Sequence, residues 1–503
     1  MPTVTIHHNG QTLLARVPAG SPLSQALHQA GVPLSMPCGG NHTCGKCRVW
    51  AEGGVEPPGE RERALLGDEP GRRLACFARV TGDCQVRTAA AGGQQIAANY
   101  RPDELPPAPI YAAPYGAAVD IGTTTVAIYL FSRTGGTPLA VSSEVNRQRS
   151  YGADVLSRIA YCNTHTVTPL RDVIRGQLDD MLAGLCRKAG VPPEALGFLC
   201  VTGNTTMLHL LAGLEPRTLA LAPFTAVSLF GDELPLPLPR FPELRAYLPR
   251  CISAYVGADI TCCILASGIA SRRETVLLVD IGTNGEMALR TPEGLVCTST
   301  AAGPAFEGAG ISSGMSARDG AVSSVWVQDG QVRWRTVGNA AAIGLCGSGL
   351  IDGVAALLEL GVLAPSGRMD ARYHGTAPLG DSGIAVTQGD VRQLQLAKGA
   401  IRGGMDALLH RCGVPYEALD RILLCGGFGS YMNVRSAQAI GLIPPGMAER
   451  TSVLGNAAGI GAGYILQNAG RRTESMRIAE LAEAIDLSTD SYFKKRYVEV
   501  MKF

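Results

Sequence analysis

The 503-residue sequence predicts a multidomain chain, an α+β unit followed by a mixed α/β unit with two similar halves. Three observations carry that expectation. Three cysteines crowd a glycine-rich loop, "CGGNHTCGKC" at 38–47, with a fourth at Cys76. The tetrapeptide Asp-Ile-Gly-Thr occurs twice between apolar runs, in "AVDIGTTTVAIYL" at 118–130 and "LLVDIGTNGEMAL" at 277–289. An unpatterned stretch rich in Ala, Gly and Pro separates the cysteines from the first of these turns. The length allows two to four domains, each with its own core. With 46% apolar residues, 17% charged residues and a formal net charge of +1, the chain has no global basic field of the kind that meets nucleic acid or an anionic membrane. The start "MPTVTIHHNGQTLLARV" lacks the charged and apolar blocks of a secretory signal, and "ITCCILASGIA" is too short to span a bilayer, so a cytoplasmic protein is expected. Fifteen cysteines in such a setting argue against a disulfide framework and for metal ligation by some of them.

In the first unit, "TVTIHHNGQTLLARV" reads as two strands joined at Asn9-Gly10, and "SPLSQALHQAGV" as a helix begun by Ser21-Pro22 and stopped by Gly31. Cys38, Cys44, Cys47 and Cys76 give C-x5-C-x2-C-x28-C, one residue longer in the first gap than the plant-type ferredoxin spacing. A [2Fe-2S] cluster needs four thiolates converging from a loop that wraps it closely, and Gly39, Gly40 and Gly45 let backbone N–H groups turn toward the sulfurs. Roughly residues 1–90 resemble the β-grasp [2Fe-2S] ferredoxins. A zinc site ranks far lower, because zinc spacings usually pair two short Cys units and one is present. Cys84 reads as strand packing, with substitute ligation as the alternative. "GNHTCGKC" nearly spells a phosphate loop, but Cys47 replaces the hydroxyl that would hold magnesium. The expected domains begin with a ferredoxin-like unit at 1–88 and a partly extended linker at 89–115, which would let the cluster domain change position.

Each Asp-Ile-Gly-Thr turn follows a strand and precedes another, so the pair reads as two hairpin tips exposing N–H groups and hydroxyls. Gly122, Thr123 and Thr124 in the first, and Gly282, Thr283 and Asn284 in the second, suit phosphate oxygens, while Asp120 and Asp280 can hold a hydrated Mg²⁺ between them. One such turn alone would be an ordinary hairpin. "ILLCGGFGSYMNV" at 422–434 is a buried strand entering a turn where Gly426, Gly427 and Gly429 allow close approach of a flat ligand. "LGNAAGIGAGYIL" at 454–466 is a helix of small residues suited to tight helix packing. In this order the four resemble the superfamily of acetate and sugar kinases, heat-shock chaperone ATPases and actin, over roughly residues 115–470. The resemblance implies two ribonuclease-H-like lobes closing on ATP, expected at 116–213 and 214–503. It also implies a first connecting segment between the turns, for which "FLCVTGNTTMLHLLAGLEP" is the candidate. There Asn204 either orients a water or phosphate or caps the following helix. Lys398, in "QLAKGAIRGGMDALL", is the candidate contact to ribose or base, against a solvated lysine. Asp154 and Arg158 are spaced as a surface helix pair and receive no chemistry.

The strings "NRQRSYGADVLSRI", "GNTTMLHLLAGLEP", "AGPAFEGAGISSGM", "LCGSGLIDGVAALLELGVL" and "QLAKGAI", together with a ferredoxin module fused to this ATPase, resemble the reductive activators of corrinoid proteins across nearly the whole chain. That resemblance implies ATP-dependent return of one electron from the cluster to an inactive Co(II) corrinoid protein, restoring Co(I) for methyl transfer. An external low-potential donor would refill the cluster. The need for ATP follows from potentials: plant-type clusters sit near ~−400 mV, Co(II)/Co(I) lies lower, and about 59 mV of one-electron mismatch costs tenfold in equilibrium. The loop with Ser312, Ser313 and Met315 is a candidate corrin-facing surface, against a flexible loop with a core Met. The alternative function is a redox-sensing metabolite kinase, which would need a general base, and the sequence shows no clear separate one beside the turns. A chaperone-like ATPase is a third class. The closing segment reads as a strand and a helix capped between Ser488 and Asp490, a candidate homodimer or partner surface.

Overall fold

The computed structural model describes residues 1–8, 11–30, 32, 34, 42, 45, 47–66, 71–88, 100–427 and 432–503. Cys38, Cys44, Gly429, the Asn9-Gly10 turn, Gly31 and residues 89–99 lie outside the described residues.

Strand β1 (Thr3–His8) pairs antiparallel with β2 (Gln11–Arg16), and His8 faces Gln11, the register a two-residue connection sets. Helix α1 (Leu23–Gln29), β3 (Arg48–Val55), α2 (Glu60–Leu66), β4 (Arg72–Leu74) and β5 (Val80–Arg87) follow. The sheet order is β2-β1-β5-β3-β4, with β5 parallel to β1 at its centre. Inward residues such as Val4, Ile6, Val49 and Val86 pack on Leu23 and Leu27 of α1. Glu62 of α2 is buried and accepts both Nε and Nη2 of Arg73 at 3.0 Å, and the Leu74 N–H at 2.8 Å. A charge taken out of water persists only with that density of partners, so α2 is locked to the strand that leads to Cys76.

Residues 100–114 form a strap rather than a loose linker. Ala108 donates to Gln467 O at 2.8 Å and accepts from Ala469 N at 2.9 Å, and Arg471 grips Asp103 through two bonds of 2.8 and 2.6 Å. Tyr100 packs edge-on against Phe131 and Tyr464. Its low-periodicity sequence hid these aromatic and ionic anchors.

Two six-stranded sheets follow. The first contains β6 (Tyr115–Ile121), β7 (Thr125–Ser132), β8 (Ala140–Val145), β9 (Leu196–Gly203), β10 (Glu233–Pro235) and β11 (Arg245–Tyr247), in the order β10-β11-β9-β6-β7-β8. Helices α3 (Val155–His165), α4 (Thr168–Ala189), α5 (Thr205–Ala212) and α6 (Ala258–Ser267) accompany it. The second contains β12 (Val276–Ile281), β13 (Asn284–Thr291) and β14 (Gly294–Ala301). Between β14 and the rest of that sheet lie β15 (Ala321–Gln328), β16 (Gln331–Thr336), β17 (Gly344–Leu345), α7 (Gly347–Glu359), β18 (Thr376–Pro378), β19 (Ala385–Thr387) and α8 (Gln388–Arg411). Then come β20 (Arg421–Cys425), α9 (Val434–Ala439), β21 (Thr451–Gly455), α10 (Ala457–Gln467), α11 (Ala469–Leu481), β22 (Glu483–Ala484) and α12 (Ser491–Glu499). The order β21-β20-β12-β13-β14-β22 repeats the first sheet's pattern: an antiparallel meander whose first strand is flanked by two further parallel strands.

The first sheet runs to Tyr247, past residue 213 where the sequence reading ended that lobe. Three-residue strands such as β10 and β11 are too short to show a period. The helix after the fifth common strand is α6 in one lobe and α10 in the other, and the two pack together. A Cβ at Gly461 would lie 2.1 Å from Cys262 O, so the small residues of α10 permit the contact. The structural counterpart of α10 is therefore α6, and not the segment at 198–216 expected from sequence. Helix α12, capped by Asp490, packs on α8 where Gly399 and Gly403 face Tyr497. No described helix is long and apolar enough to cross a membrane.

Candidate functional site

The twin turns face each other across an open cleft between the lobes. Strand β6 carries Asp120 at its penultimate position and β12 carries Asp280 at the same place. Each chain then reverses tightly: Gly122 N donates to Thr125 O at 2.8 Å, and Gly282 N to Asn284 O at 2.9 Å. Thr123, Thr124, Thr283 and Asn284 line the cleft with both aspartates. Gly426 and Gly427, at the end of β20, line it too. Gly426 has φ near +100°, and a Cβ there would lie 2.6 Å from Asp280 Oδ1, so this corner demands glycine on both counts. Asn204 caps α5, its Oδ1 accepting Met207 N at 2.9 Å, and its Nδ2 donates to Thr123 Oγ1 of the first turn at 3.1 Å.

The structure adds residues that sequence reasoning passed over. Asp259, in the first turn of α6, enters the same cleft. Asn456, the N-cap of α10, donates to Asp120 Oδ2 at 2.9 Å. Glu286 and Glu307 complete the acidic lining. Burial, the larger cause, pushes Asp120 up to about 7 and Asp259 up to about 6. Burial and then the neighbouring charges of Asp259 and Asp120 push Asp280 up to about 8, and burial followed by the charges of Asp259 and Asp280 raises Glu286. Carboxylates gathered in this way repel each other when ionised, and a cation between them would favour the ionised forms. Asp259 stands two residues after the N-cap Gly257 of α6, whereas Asn456 is itself the N-cap of α10, so no shared local motif announced it.

Three expectations are corrected. Lys398 does not reach the cleft. Its ammonium is buried, donates to Lys502 O and lies 5.1 Å from the Phe503 ring, because α12 and the tail cover that face of α8; burial lowers it to about 7. Arg158 is no surface residue: fully buried, it donates to Thr123 O and, at 3.1 Å, to Gly152 O, while Asp154 caps α3. The loop with Ser312, Ser313 and Met315 is fastened, with Ser312 N on Asp390 Oδ1 at 2.7 Å and Met315 N on Leu345 O at 3.0 Å. Met315 lines the cleft.

In the first unit, Cys47 Sγ and Cys76 Sγ are buried 3.3 Å apart. That is too far for a disulfide and near the edge, about 3.8 Å, of a sulfur tetrahedron with metal–sulfur bonds of about 2.3 Å. Arg48 donates to Gly45 O at 3.0 Å and Leu65 O at 3.2 Å, fastening the end of the cysteine loop. Cys84 sits on β5 in the core, beside Val4 and opposite Gly53, and burial raises its thiol. That placement fits packing.

One segment touches both sites. Between β8 and α3, Asn146 Nδ2 donates to Gly122 O at 2.8 Å and Asn146 N to Thr124 O at 2.8 Å. Four residues on, Ser150 Oγ donates to Leu34 O at 3.3 Å, on the chain entering the cysteine loop.

Comparison with known proteins agrees with this division. Residues 6–81 match a family model described as a 2Fe-2S iron-sulfur cluster binding domain. Residues 115–272 match the "RACo middle region" and 274–503 the "C-terminal domain of RACo the ASKHA domain". The chain is 34% identical over 415 residues to the corrinoid activation enzyme RamQ of Eubacterium limosum, covering 76% of this chain and 69% of that one. It is 26% identical over 428 residues to the [Co(II) methylated amine-specific corrinoid protein] reductase of Methanosarcina barkeri, covering 76% of each. A solved structure of a reductive activator for corrinoid, iron-sulfur protein matches with a TM-score of 0.75 at 27% identity, over 100% of this chain and 98% of that one.

Proposed function

Because the chain belongs to the family of corrinoid-protein activators, we propose that it uses ATP to drive one electron from its own [2Fe-2S] cluster onto a corrinoid protein stranded as Co(II), restoring Co(I). The observation that carries this reading is the pairing, in one chain, of a ferredoxin fold whose Cys47 and Cys76 thiols lie side by side with a two-lobed acidic cleft, joined through residues 146–150.

Cys38, Cys44, Cys47 and Cys76 would hold the cluster, which when bound supplies the single electron. Thr123, Thr124, Thr283 and Asn284, with the peptides of Gly122 and Gly282, would meet the phosphates. Asp120 and Asp280 would hold a hydrated Mg²⁺, with Asp259 behind them, and Gly426 and Gly427 would let the adenosine approach the end of β20. Asn204 and Arg158 hold Thr123 from two sides and so fix the first turn. Closing of the lobes on nucleotide would shift the first turn, and Asn146 and Ser150 would pass that shift to the cluster unit. An external low-potential donor would refill the cluster, and the setting is cytoplasmic.

Cysteine substitution tests the electron path. Cys47→Ala or Cys76→Ala should bleach the visible spectrum of the cluster and stop cobalt reduction while ATP hydrolysis stays within about twofold. Cys84→Ala should leave the spectrum intact. A spectrum lost with Cys84 and kept without Cys76 would overturn the ligand set.

A further inference from the structure

The sequence shows no clear separate base beside the phosphate turns, but the fold brings a carboxylate between them. Glu307 ends the short turn Pro304–Glu307 after β14. Its Oε2 accepts a hydrogen bond from the hydroxyl of Thr124, in the first Asp-Ile-Gly-Thr turn, and at 2.9 Å from that of Thr283, in the second. The two hydroxyls are themselves 3.4 Å apart. One carboxylate thus spans the seam between half-sites that lie 159 residues apart in sequence. Its Oε1 lies 3.9 Å from where a Cβ at Gly282 would stand, so both oxygens border the second turn.

The side chain is held in place. Gly308, which follows it, has φ near +75°, and a Cβ there would lie 2.2 Å from Met315 O. Glu307 also offsets part of the burial that lowers Arg149 and Arg158, so two guanidiniums lie within its field. Among the acids lining the cleft, Asp120 is bonded to Asn456 and Asp280 to the Cys263 thiol, deep in the lobes. Glu307 instead meets the hydroxyls at the seam.

We infer that Glu307 orients and deprotonates the water that attacks the terminal phosphate of a nucleotide seated on the two turns. This rests on the nucleotide reading of the cleft proposed above. The threonine hydroxyls that hold Glu307 are the groups that would face a bound phosphate, so a water replacing those contacts would lie between the carboxylate and phosphorus. In the step, the water oxygen forms a bond to the terminal phosphorus as its proton passes to Glu307. The bond from that phosphorus to the bridging oxygen breaks and its electron pair stays on the departing ADP. Glu307 then returns the proton to solvent. A positioned base of this kind typically contributes about 10²–10⁴-fold.

The test compares the full-length protein with Glu307→Gln and Glu307→Asp, measuring binding of a fluorescent ATP analogue and single-turnover hydrolysis across pH. Glutamine keeps the shape and can still accept from both threonines, but it cannot take a proton. Expected is binding within about threefold of the parent, hydrolysis slower by at least about 10²-fold in Glu307→Gln, and partial activity with a retained acidic limb in Glu307→Asp. Hydrolysis by Glu307→Gln near the parental rate would show that the carboxylate only clasps the turns and would overturn the inference. Parallel loss of binding and hydrolysis would overturn it too, making Glu307 a binding residue. Failure of the parent itself to bind the analogue would instead remove the nucleotide reading on which the inference stands.

Discussion

The turn at Asp120 and the turn at Asp280 share a tetrapeptide, a strand position and a local backbone hydrogen bond, yet their surroundings differ. The first is gripped from many sides: Asn456 holds Asp120, Asn204 and Arg158 hold Thr123, and Asn146 holds Gly122. Through Asn146 and Ser150 it reaches the cluster unit. The second packs against Gly426 and the Cys263 thiol, and its Thr283 shares Glu307 with Thr124 of the first. Duplication therefore supplies matched chemistry in different settings: both turns give a threonine hydroxyl to Glu307, and the first also continues through Asn146 and Ser150 to the cysteine-bearing unit. The continuous set of contacts is a physical route for coupling, and its strength is a matter for measurement.

The largest effect should come from what the turns share. Asp120→Ala and Asp280→Ala should each slow Mg²⁺-dependent ATP hydrolysis by about 10²–10³-fold, the scale of losing a preorganised electrostatic group. The visible spectrum of the cluster should not change, because neither carboxylate lies in its domain. Unchanged hydrolysis in both variants would dissolve the likeness of the two turns.

A smaller effect should separate them. Asn146→Ala removes a bond to Gly122 O and a cap on the following turn, worth about 1 kcal/mol locally. Hydrolysis should fall modestly while the stimulation of cobalt reduction by ATP falls several-fold further. If both rates drop by the same factor, the first turn has no special link to the cluster unit.

The smallest effect concerns stability. Asp280 has its acid range raised from 3.8 to about 8, so between those values the native state carries more protons than the unfolded chain, and metal-free stability falls as pH rises. Asp280→Asn should raise the metal-free melting temperature by more at pH 8 than at pH 5. Adding Mg²⁺ should narrow the difference between parent and variant at pH 8. A pH-independent change would indicate that Asp280 is not held protonated by its surroundings.

What the sequence made legible was local. The cysteine spacing, the two Asp-Ile-Gly-Thr turns, the small residues of α10 and the Asp490 cap of α12 each express a rule within a few residues. The misses are tertiary. Arg158 has the spacing of a surface pair, but its helix turns that face onto the first turn. Helical spacing could not say that Lys398 faces the tail at Lys502 and Phe503 and not the cleft. Asp259, Asn456 and Glu307 become neighbours of the turns only when the sheets close on one another, and β10 and β11 are too short to announce that the first sheet continues. Residues 100–114 read as linker because their anchors, Arg471 and Tyr464, lie in helices more than three hundred residues away.

The most direct measurement is the ultraviolet-visible conversion of a Co(II) corrinoid protein to Co(I), with the cluster reduced beforehand and ATP present or absent. Candidate partners are corrinoid proteins of methyltransferase systems. The expected result is Co(I) formation that needs ATP and is lost in both Cys76→Ala and Asp120→Ala, the first with hydrolysis intact and the second with the cluster intact. Co(I) appearing equally well without ATP, or in the Cys76→Ala variant, would contradict an electron path from this cluster gated by this cleft.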